Sequence, residues 1–136
     1  MSSLDKATVA HIGVAVKDLE ESIALYRDKL GLPFDGVDEV PGVKVAFFPL
    51  GESSIELVSS TDPDSGLAKF IEKKGGGIHH LCIKVPDIRA ALAEMKERGV
   101  KLIDEEPRKG AHDHLVAFIH PKSTGGVLLE LLEEHK

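Results

Sequence analysis

Two histidines and two glutamates occupy matching places in the two halves of this 136-residue sequence. His11 and His80 each stand seven residues before an aspartate, and they are 69 residues apart. Glu56, in Ile-Glu-Leu, is matched by Glu130, in Leu-Glu-Leu. Imidazole nitrogens and carboxylate oxygens without sulfur suit a divalent ion that keeps positions open for water or substrate. The pattern therefore predicts one metal site built from these four residues.

The two halves agree well beyond these four positions. Residues 10–32 and 79–102 both read as a histidine, an alternating apolar strand, an aspartate, a helix and a glycine. Residues 45–58 and 116–131 both contain a Val-Ala-Phe strand, a turn and a strand with one glutamate. Such a repeat predicts two copies of one supersecondary unit.

Each copy is predicted to be a βαβββ module, and the two together an α+β fold. We expect a single domain over 1–136, whose curved, cup-shaped sheet carries helices on its outer face. The first module spans about 8–59, a linking helix lies within about 60–77, and the second module spans about 78–133.

The main helix of each module begins at an aspartate that can cap it. Asp18, with Glu21 three residues later, forms a capping box, and Asp87 caps the second helix. The predicted buried stripes are Leu19, Ile23, Tyr26 and Leu30 in the first helix, and Ile88, Leu92 and Met95 in the second. Further strands are predicted near 34–40, 43–50, 53–59, 101–105, 114–119 and 127–132.

Side chains alternate between the two faces of a strand, so the sequence also predicts which face each residue occupies. Ile12 and the apolar positions in step with it must pack under the helix, which places the four predicted ligands on the opposite face. Small neighbours on that face, Gly13 and Ala15, would leave room for a ligand. His79 points away from the face of His80 and is assigned a structural role.

Composition restricts the partners that we expect. The formal net charge of −6, one tyrosine and no tryptophan argue against nucleic acid or an anionic membrane as a partner. A single cysteine excludes an internal disulfide and fits a reducing compartment. The first residues show no export or transit pattern, so we expect a cytoplasmic protein.

Five stretches of the chain are similar to a known family. They are HIGVAVKDLEESIALYRDKLGL, GVKVAFFPLG with the IEL that follows, DSGLAKFIEKKGGGIHHLCIKVPDI, LIDEEPRKGAH and HPKSTGGVLLEL. Over nearly its whole length the chain resembles the methylmalonyl-CoA epimerases of the vicinal oxygen chelate (glyoxalase/bleomycin-resistance/dioxygenase) superfamily. The last three stretches are specific to that branch of the superfamily.

The resemblance implies a metal at His11, Glu56, His80 and Glu130, the same set that strand alternation selects. It implies a divalent ion, with cobalt preferred over nickel, manganese, zinc or magnesium, and it implies a homodimer. The implied enzyme is an isomerase that interconverts the R and S forms of methylmalonyl-CoA, an acyl-CoA substrate. The α-proton would leave and return through a metal-stabilised enolate, with Glu130 as one acid/base group as well as a ligand.

Inversion of the α-carbon requires a second acid/base group, which the sequence leaves open. Some members of the family place a glutamate on the strand that corresponds to 43–48, where this chain has no carboxylate. Lys44, Glu39, His112 and a metal-bound water are the candidates, and a mechanism with one base is a further alternative.

Coenzyme A is polyanionic, so local cations must meet its phosphates. The candidate cations are Lys69, Lys73, Lys74, Arg108 and Lys109. In the turn before the last strand, Lys122, Ser123 and Thr124 could bind the substrate carboxylate.

Three other functions fit parts of the pattern. A glyoxalase I-type isomerase (lactoylglutathione lyase) would use the same four ligands, although the branch-specific stretches favour the epimerase. An extradiol oxygenase needs iron with two histidines and one carboxylate, so Glu56 would be one ligand too many. A metal-free binding module on the same fold would be expected to lack ligands that this chain retains.

Overall fold

Two compact units make up the chain in the computed structural model, which describes residues 2–135. One unit is His11–His79, and the other combines the described residues on either side of that segment. Among the described residues, no helix has the length and apolar character needed to cross a membrane.

The first module consists of β1 (Thr8–Ala15), α1 (Leu19–Ala24), β2 (Val37–Val40), β3 (Val43–Leu50) and β4 (Ser53–Ser60). The linking segment contains α2 (Gly66–Lys74). The second module consists of β5 (Gly77–Lys84), α3 (Ile88–Glu97), β6 (Arg108–Lys109), β7 (Leu115–Ile119) and β8 (Leu129–Glu133).

The two modules have the same topology. In the first, the strand order is β2-β3-β4-β1, with β1 parallel to β4 and the other neighbours antiparallel. In the second, the order is β5-β8-β7-β6, with β5 parallel to β8 and the other neighbours antiparallel. The α+β class and the two βαβββ modules predicted from the sequence are therefore confirmed.

The core of the first module lies between α1 and the sheet. Leu19 and Ile23 of α1 are buried against Phe48 of β3 and Leu57 of β4. Each such side chain contributes about 1.5–3 kcal/mol when it is fully buried. The helix begins where predicted, because the Asp18 carboxylate accepts a hydrogen bond from the backbone N–H three residues later at 3.0 Å.

The core of the second module repeats this arrangement. Ile88 and Leu92 of α3 are buried against Ile119 of β7 and Leu131 of β8. The Asp87 carboxylate caps α3 by accepting the hydrogen bond of a backbone N–H at 3.1 Å. In each module the helix thus packs on the face of the strands where the apolar side chains lie, as predicted.

The first helix departs from the predicted stripe after Ala24. Leu25–Lys29 continue as a π-helix, which has more residues per turn than an α-helix and so shifts the register of the side chains. Leu30, predicted to be buried, is 58% exposed. The predicted stripe is correct for Leu19 and Ile23 and wrong for Leu30.

The start of β1 also differs from the prediction. Ile12, expected under the helix, is 38% exposed, whereas Val14 and Val16 pack against the core. Helix α1 packs against β3 and β4.

Residues 101–105, all of which the structure describes, do not form the predicted strand. Leu102 makes one isolated bridge to Ile119, and the paired strand of this part of the module is β6 instead. Asp104 Oδ2 accepts the N–H of Phe118 at 2.8 Å, so a side chain takes the place of a backbone acceptor. Pro107 has no N–H to donate, and regular pairing begins only after it.

Three consecutive glycines lead from α2 into β5. Gly75 ends the helix with φ +80°, and Gly76 follows with φ +112°. A Cβ on Gly76 would lie 2.8 Å from the carbonyl oxygen of Ala15. Glycine is therefore required for the chain to pass this closely to the end of β1.

Candidate metal and active site

In the first unit, His11 and Glu56 face each other from neighbouring parallel strands. The register pairs Gly13 of β1 with Glu56 of β4. His11 Nδ1 lies 3.0 Å from Glu56 Oε2, and His11 is only 4% exposed. The contact gives both polar groups a partner, as burial demands.

In the second unit, His80 and Glu130 form the equivalent pair. His80 Nε2 lies 3.1 Å from Glu130 Oε1, and both residues are buried. In the sheet, Glu130 is directly opposite Cys82 of β5 on one side and Phe118 of β7 on the other. The His80 ring meets the Phe118 ring edge to face, with 5.9 Å between the ring centroids.

The two pairs are built in the same way. Each joins a histidine on the first strand of a module to a glutamate on its last strand, and these strands are parallel neighbours. Strand alternation placed each histidine and its glutamate on one face, and their contacts agree with it. The face is buried, however, rather than open as the small neighbours suggested: Ala15, beside His11, is 1% exposed.

His79 has the structural environment that alternation predicts. Its ring packs against the ring of Phe70 in α2 in a T-shaped arrangement, with 4.9 Å between centroids. The adjacent histidines of β5 therefore serve different purposes: His79 anchors the linking helix, and His80 faces Glu130.

Cys82 is a small core residue, as expected. It is fully buried in a cluster with Val116 and Leu132, with Ala10 packed against them. These neighbours are apolar and suit a filler rather than a nucleophile.

The register of β2 and β3 removes two candidates for the second acid/base group from the Glu56 face. Glu39 is paired with Lys44, and both lie on the face of the sheet that packs under the helix. Asp38 is paired with Val45 and therefore shares the face of Glu56. Sequence reasoning missed Asp38, because the register of so short a strand cannot be read before its partner is known.

His112, another candidate, lies in a strained exposed turn. His112 and Asp113 both have positive φ values, 57° and 60°. The neighbouring His114 is half-buried. Its pKa is lowered mainly by this burial and, to a smaller extent, by the charge of His112. His114 Nδ1 accepts the N–H of His135 at 2.8 Å, so this imidazole fastens the end of the chain.

The residues predicted to bind the substrate carboxylate form a tight turn. Ser123 Oγ accepts the N–H of Lys101 at 2.8 Å. Thr124 Oγ1 donates to the carbonyl oxygens of Pro121 and Val127. Both hydroxyls thus serve the turn, and the substrate-binding role of Lys122, Ser123 and Thr124 stays a prediction.

The predicted phosphate contacts divide between two elements. Lys69, Lys73 and Lys74 are exposed along α2, where their role stays a prediction. On β6, Arg108 is paired with Val116 and Lys109 with Leu115. These adjacent cations therefore lie on opposite faces of the second module.

Comparison with known proteins places the chain in a family. Residues 10–118 match the Glyoxalase/Bleomycin resistance protein/Dioxygenase superfamily. The mitochondrial methylmalonyl-CoA epimerase of Mus musculus is 43% identical over 124 residues, covering 89% of this chain and 70% of its own length. The chain belongs to the methylmalonyl-CoA epimerase family of this superfamily. It is thus a member of an isomerase family, as the sequence resemblance implied.

Two further epimerases extend the comparison. The ethylmalonyl-CoA/methylmalonyl-CoA epimerase of Cereibacter sphaeroides is 42% identical over 89% of this chain and 93% of its own. A single-substitution variant of the Streptomyces coelicolor methylmalonyl-CoA epimerase, in complex with 2-nitronate-propionyl-CoA, superposes with a TM-score of 0.90. It is 31% identical, and the match covers 93% of this chain and 94% of that one. The epimerase fold is therefore preserved along nearly all of this chain.

Proposed function

We propose that this protein interconverts the R and S forms of methylmalonyl-CoA with a divalent ion bound by His11, Glu56, His80 and Glu130. The observation that carries the proposal is the histidine–glutamate pair of each module, with nitrogen and oxygen 3.0–3.1 Å apart. His11, His80 and Glu130 are buried, and Glu56 is half-buried. Family membership supports the substrate class, an acyl-CoA thioester with a carboxylate on its α-carbon.

The residues present fit a divalent ion. Two imidazoles and two carboxylates offer nitrogen and oxygen donors that suit cobalt, nickel, manganese or zinc, and less readily magnesium. The burial of His11, His80 and Glu130 limits water access, and the histidine–glutamate contacts keep the donors oriented. Cobalt is the proposed ion. When bound, the ion would supply Lewis-acid stabilisation of negative charge on the thioester oxygen.

Glu130 is the proposed group that takes or donates the α-proton on one face of the α-carbon. It lies between Phe118 and Cys82 in the sheet, where apolar neighbours exclude water from its carboxylate. His80 orients the carboxylate through the 3.1 Å contact. An oriented carboxylate close to the α-carbon can act as both base and acid.

Asp38 is the proposed second acid/base group. It is the carboxylate of β2 that shares the Glu56 face, and its Oδ1 accepts the N–H of Glu39 at 2.9 Å. Because β3 carries no carboxylate, the Asp38 carboxylate beside Val45 can act as the second acid/base group in its place. Lys44 and Glu39 are disfavoured because they lie on the helix-bearing face.

The glyoxalase I-type reaction is the weaker alternative. It would use the same four ligands, so the site does not separate the two reactions. The relatives matched at 42–43% identity over 89% of the chain are epimerases, and this favours the epimerase.

One experiment tests the proposed function directly. The metal-loaded protein is incubated with a single epimer of methylmalonyl-CoA in deuterated water, and the α-position is followed by proton NMR. We expect inversion with uptake of deuterium, and we expect Glu130→Gln to abolish both. Absence of exchange, together with turnover of the methylglyoxal–thiol adduct, would establish the glyoxalase reaction instead.

We further propose a homodimer and a cytoplasmic location. The family resemblance supports the first, and the single buried cysteine, which suits a reducing compartment, supports the second. Sedimentation equilibrium and cell fractionation would test them.

A further inference from the structure

Arg108 lies on the same face of the second module as His80 and Glu130. The register pairs Arg108 with Val116, and Phe118, two residues further along β7, is paired with Glu130. The Arg108 guanidinium stacks over the Phe118 ring, with 5.6 Å from its carbon to the ring centroid. The His80 ring also contacts the Phe118 ring, in an edge-to-face arrangement with 5.9 Å between the ring centroids. The Phe118 ring therefore contacts both the Arg108 guanidinium and the histidine of the histidine–glutamate pair.

Asp104 holds this arginine in place. Its Oδ2 accepts the Phe118 N–H at 2.8 Å, and its Oδ1 lies 3.5 Å from Arg108 Nε. One carboxylate thus fixes both the strand that carries the aromatic ring and the guanidinium above it. A guanidinium has five N–H donors, and the Nε contact uses only one of them.

The remaining donors suit a planar anion. The two Nη groups present parallel N–H bonds of the kind that bind a carboxylate in bidentate fashion. The side chain is 60% exposed, so an anion can reach it from solvent. In an acyl-CoA with an α-carboxylate, that carboxylate is bonded to the reacting carbon, whereas the phosphates lie a pantetheine chain away.

We propose that Arg108 binds the α-carboxylate of the substrate and thereby orients the α-carbon toward Glu130. This rests on the proposed function. It assigns Arg108 to the acyl end of the substrate rather than to the coenzyme A phosphates. Lys109, on the opposite face, takes no part in this contact and provides a matched control.

Three variants and three ligands test the assignment. Arg108→Gln, Arg108→Lys and Lys109→Gln are compared with wild type for the binding of methylmalonyl-CoA, of propionyl-CoA and of a methylmalonyl thioester of N-acetylcysteamine. Propionyl-CoA keeps the phosphates and lacks the carboxylate, whereas the short thioester keeps the carboxylate and lacks the phosphates. Calorimetry gives Kd, the NMR exchange assay gives KM and kcat, and circular dichroism verifies folding.

We expect Arg108→Gln to weaken both carboxylate-bearing ligands about 10- to 100-fold, the range for charged hydrogen bonds, and to leave propionyl-CoA unchanged. Arg108→Lys should recover part of the affinity, because it restores the charge without the bidentate geometry. Lys109→Gln should bind the short thioester as wild type does, and any effect that it has on methylmalonyl-CoA should be matched on propionyl-CoA, because both carry the phosphates.

Two results would overturn the inference. Weaker binding of propionyl-CoA by Arg108→Gln, with the short thioester unaffected, would assign the arginine to a phosphate. Wild-type constants for Arg108→Gln on all three ligands would remove it from binding altogether. Failure of the proposed function would look different, since wild type itself would then neither invert nor exchange the α-centre.

Discussion

At the scale of single residues, strand alternation explains most of the site. Two adjacent histidines on one strand must point to opposite faces, and the structure shows His79 against Phe70 and His80 against Glu130. The repeat identified which of the two has a counterpart, His11. Strand alternation and the internal repeat together distinguish His80, the candidate ligand, from His79, its structural neighbour.

Metal content should distinguish the two histidines. We expect His80→Ala to lose most of the bound ion, because it removes a donor, and His79→Ala to retain nearly all of it. Inductively coupled plasma mass spectrometry on the purified variants measures this. Loss of the ion from His79→Ala, with retention in His80→Ala, would refute the ligand assignment.

The adjacent carboxylates Asp38 and Glu39 of β2 allow a matched test of the second acid/base group. We expect Asp38→Asn to slow inversion at least 100-fold while Glu130 still exchanges the α-proton of one epimer. Glu39→Gln, on the other face, should behave as wild type. Each epimer is followed separately by NMR in deuterated water. Inversion at the wild-type rate by Asp38→Asn would remove it from the mechanism.

At the scale of elements, short segments that the sequence left undefined carry important residues. β6 has two residues, and it places Arg108 and Lys109 on opposite faces. The first residues of the chain are likewise fastened to α3: Ser3 N–H and Oγ both donate to Glu94 Oε2, at 3.0 and 2.5 Å. Hydrogen bonds from Ser2 and Ser3 hold the pKa of Glu94 down to about 2.

The hydrogen bonds from Ser3 to Glu94 should make the free energy of unfolding depend on pH in the acid range. The pKa of Glu94 is lower in the folded state than its ordinary value of 4.5, so the stabilisation is complete above that value. It is lost as the pH falls from about 4.5 toward 2. We expect Glu94→Gln to flatten the fall of unfolding free energy over that interval, measured by urea denaturation at each pH. Glu97→Gln, on the same helix, is the control, and equal slopes for the two variants would contradict the prediction.

The glycines after α2 should differ in their tolerance of a side chain. Both Gly75→Ala and Gly76→Ala place a Cβ at positive φ, which costs about 1–2 kcal/mol. Only Gly76→Ala also brings that Cβ to 2.8 Å from a backbone oxygen of β1, whereas nothing lies within 4 Å at Gly75. We expect Gly76→Ala to be the more destabilised by at least about 1 kcal/mol in urea denaturation. Equal losses would show that the backbone adjusts freely there.

At the scale of the whole molecule, each unit carries one histidine–glutamate pair, and the two pairs lie on modules of the same topology. Residues of both units are proposed as ligands of one ion. A ligand that binds only the folded state raises its stability by mass action, by about 2.7 kcal/mol at a hundredfold excess over Kd.

Metal binding should therefore raise the unfolding temperature. We expect cobalt to raise Tm by several degrees, EDTA to reverse the effect, and titration to give one ion per chain. His11→Ala and His80→Ala should each abolish the rise, although they lie in different units. Differential scanning fluorimetry and equilibrium dialysis measure the two quantities. Two ions per chain, with each variant losing only one, would refute the shared set.

The sequence by itself determined the repeat, the fold class, the helix caps and the face of each candidate ligand. These follow from local rules: a period of two along strands, a polar cap before a helix, and a pattern that recurs at 69 residues. They need no knowledge of distant contacts. The same local rules led to the prediction that His11, His80, Glu56 and Glu130 form one metal site, which stays a prediction.

Only the tertiary structure decided where the short and irregular segments lie. The π-helical turn exposes Leu30. Residues 101–105 do not form the predicted strand; they bond to β7 through one isolated bridge, a few backbone hydrogen bonds and the Asp104 side chain. The faces of Asp38 and Arg108 are set by pairing with β3 and β7. A strand of two to four residues has too little pattern of its own to determine its register, so its partner strand determines it.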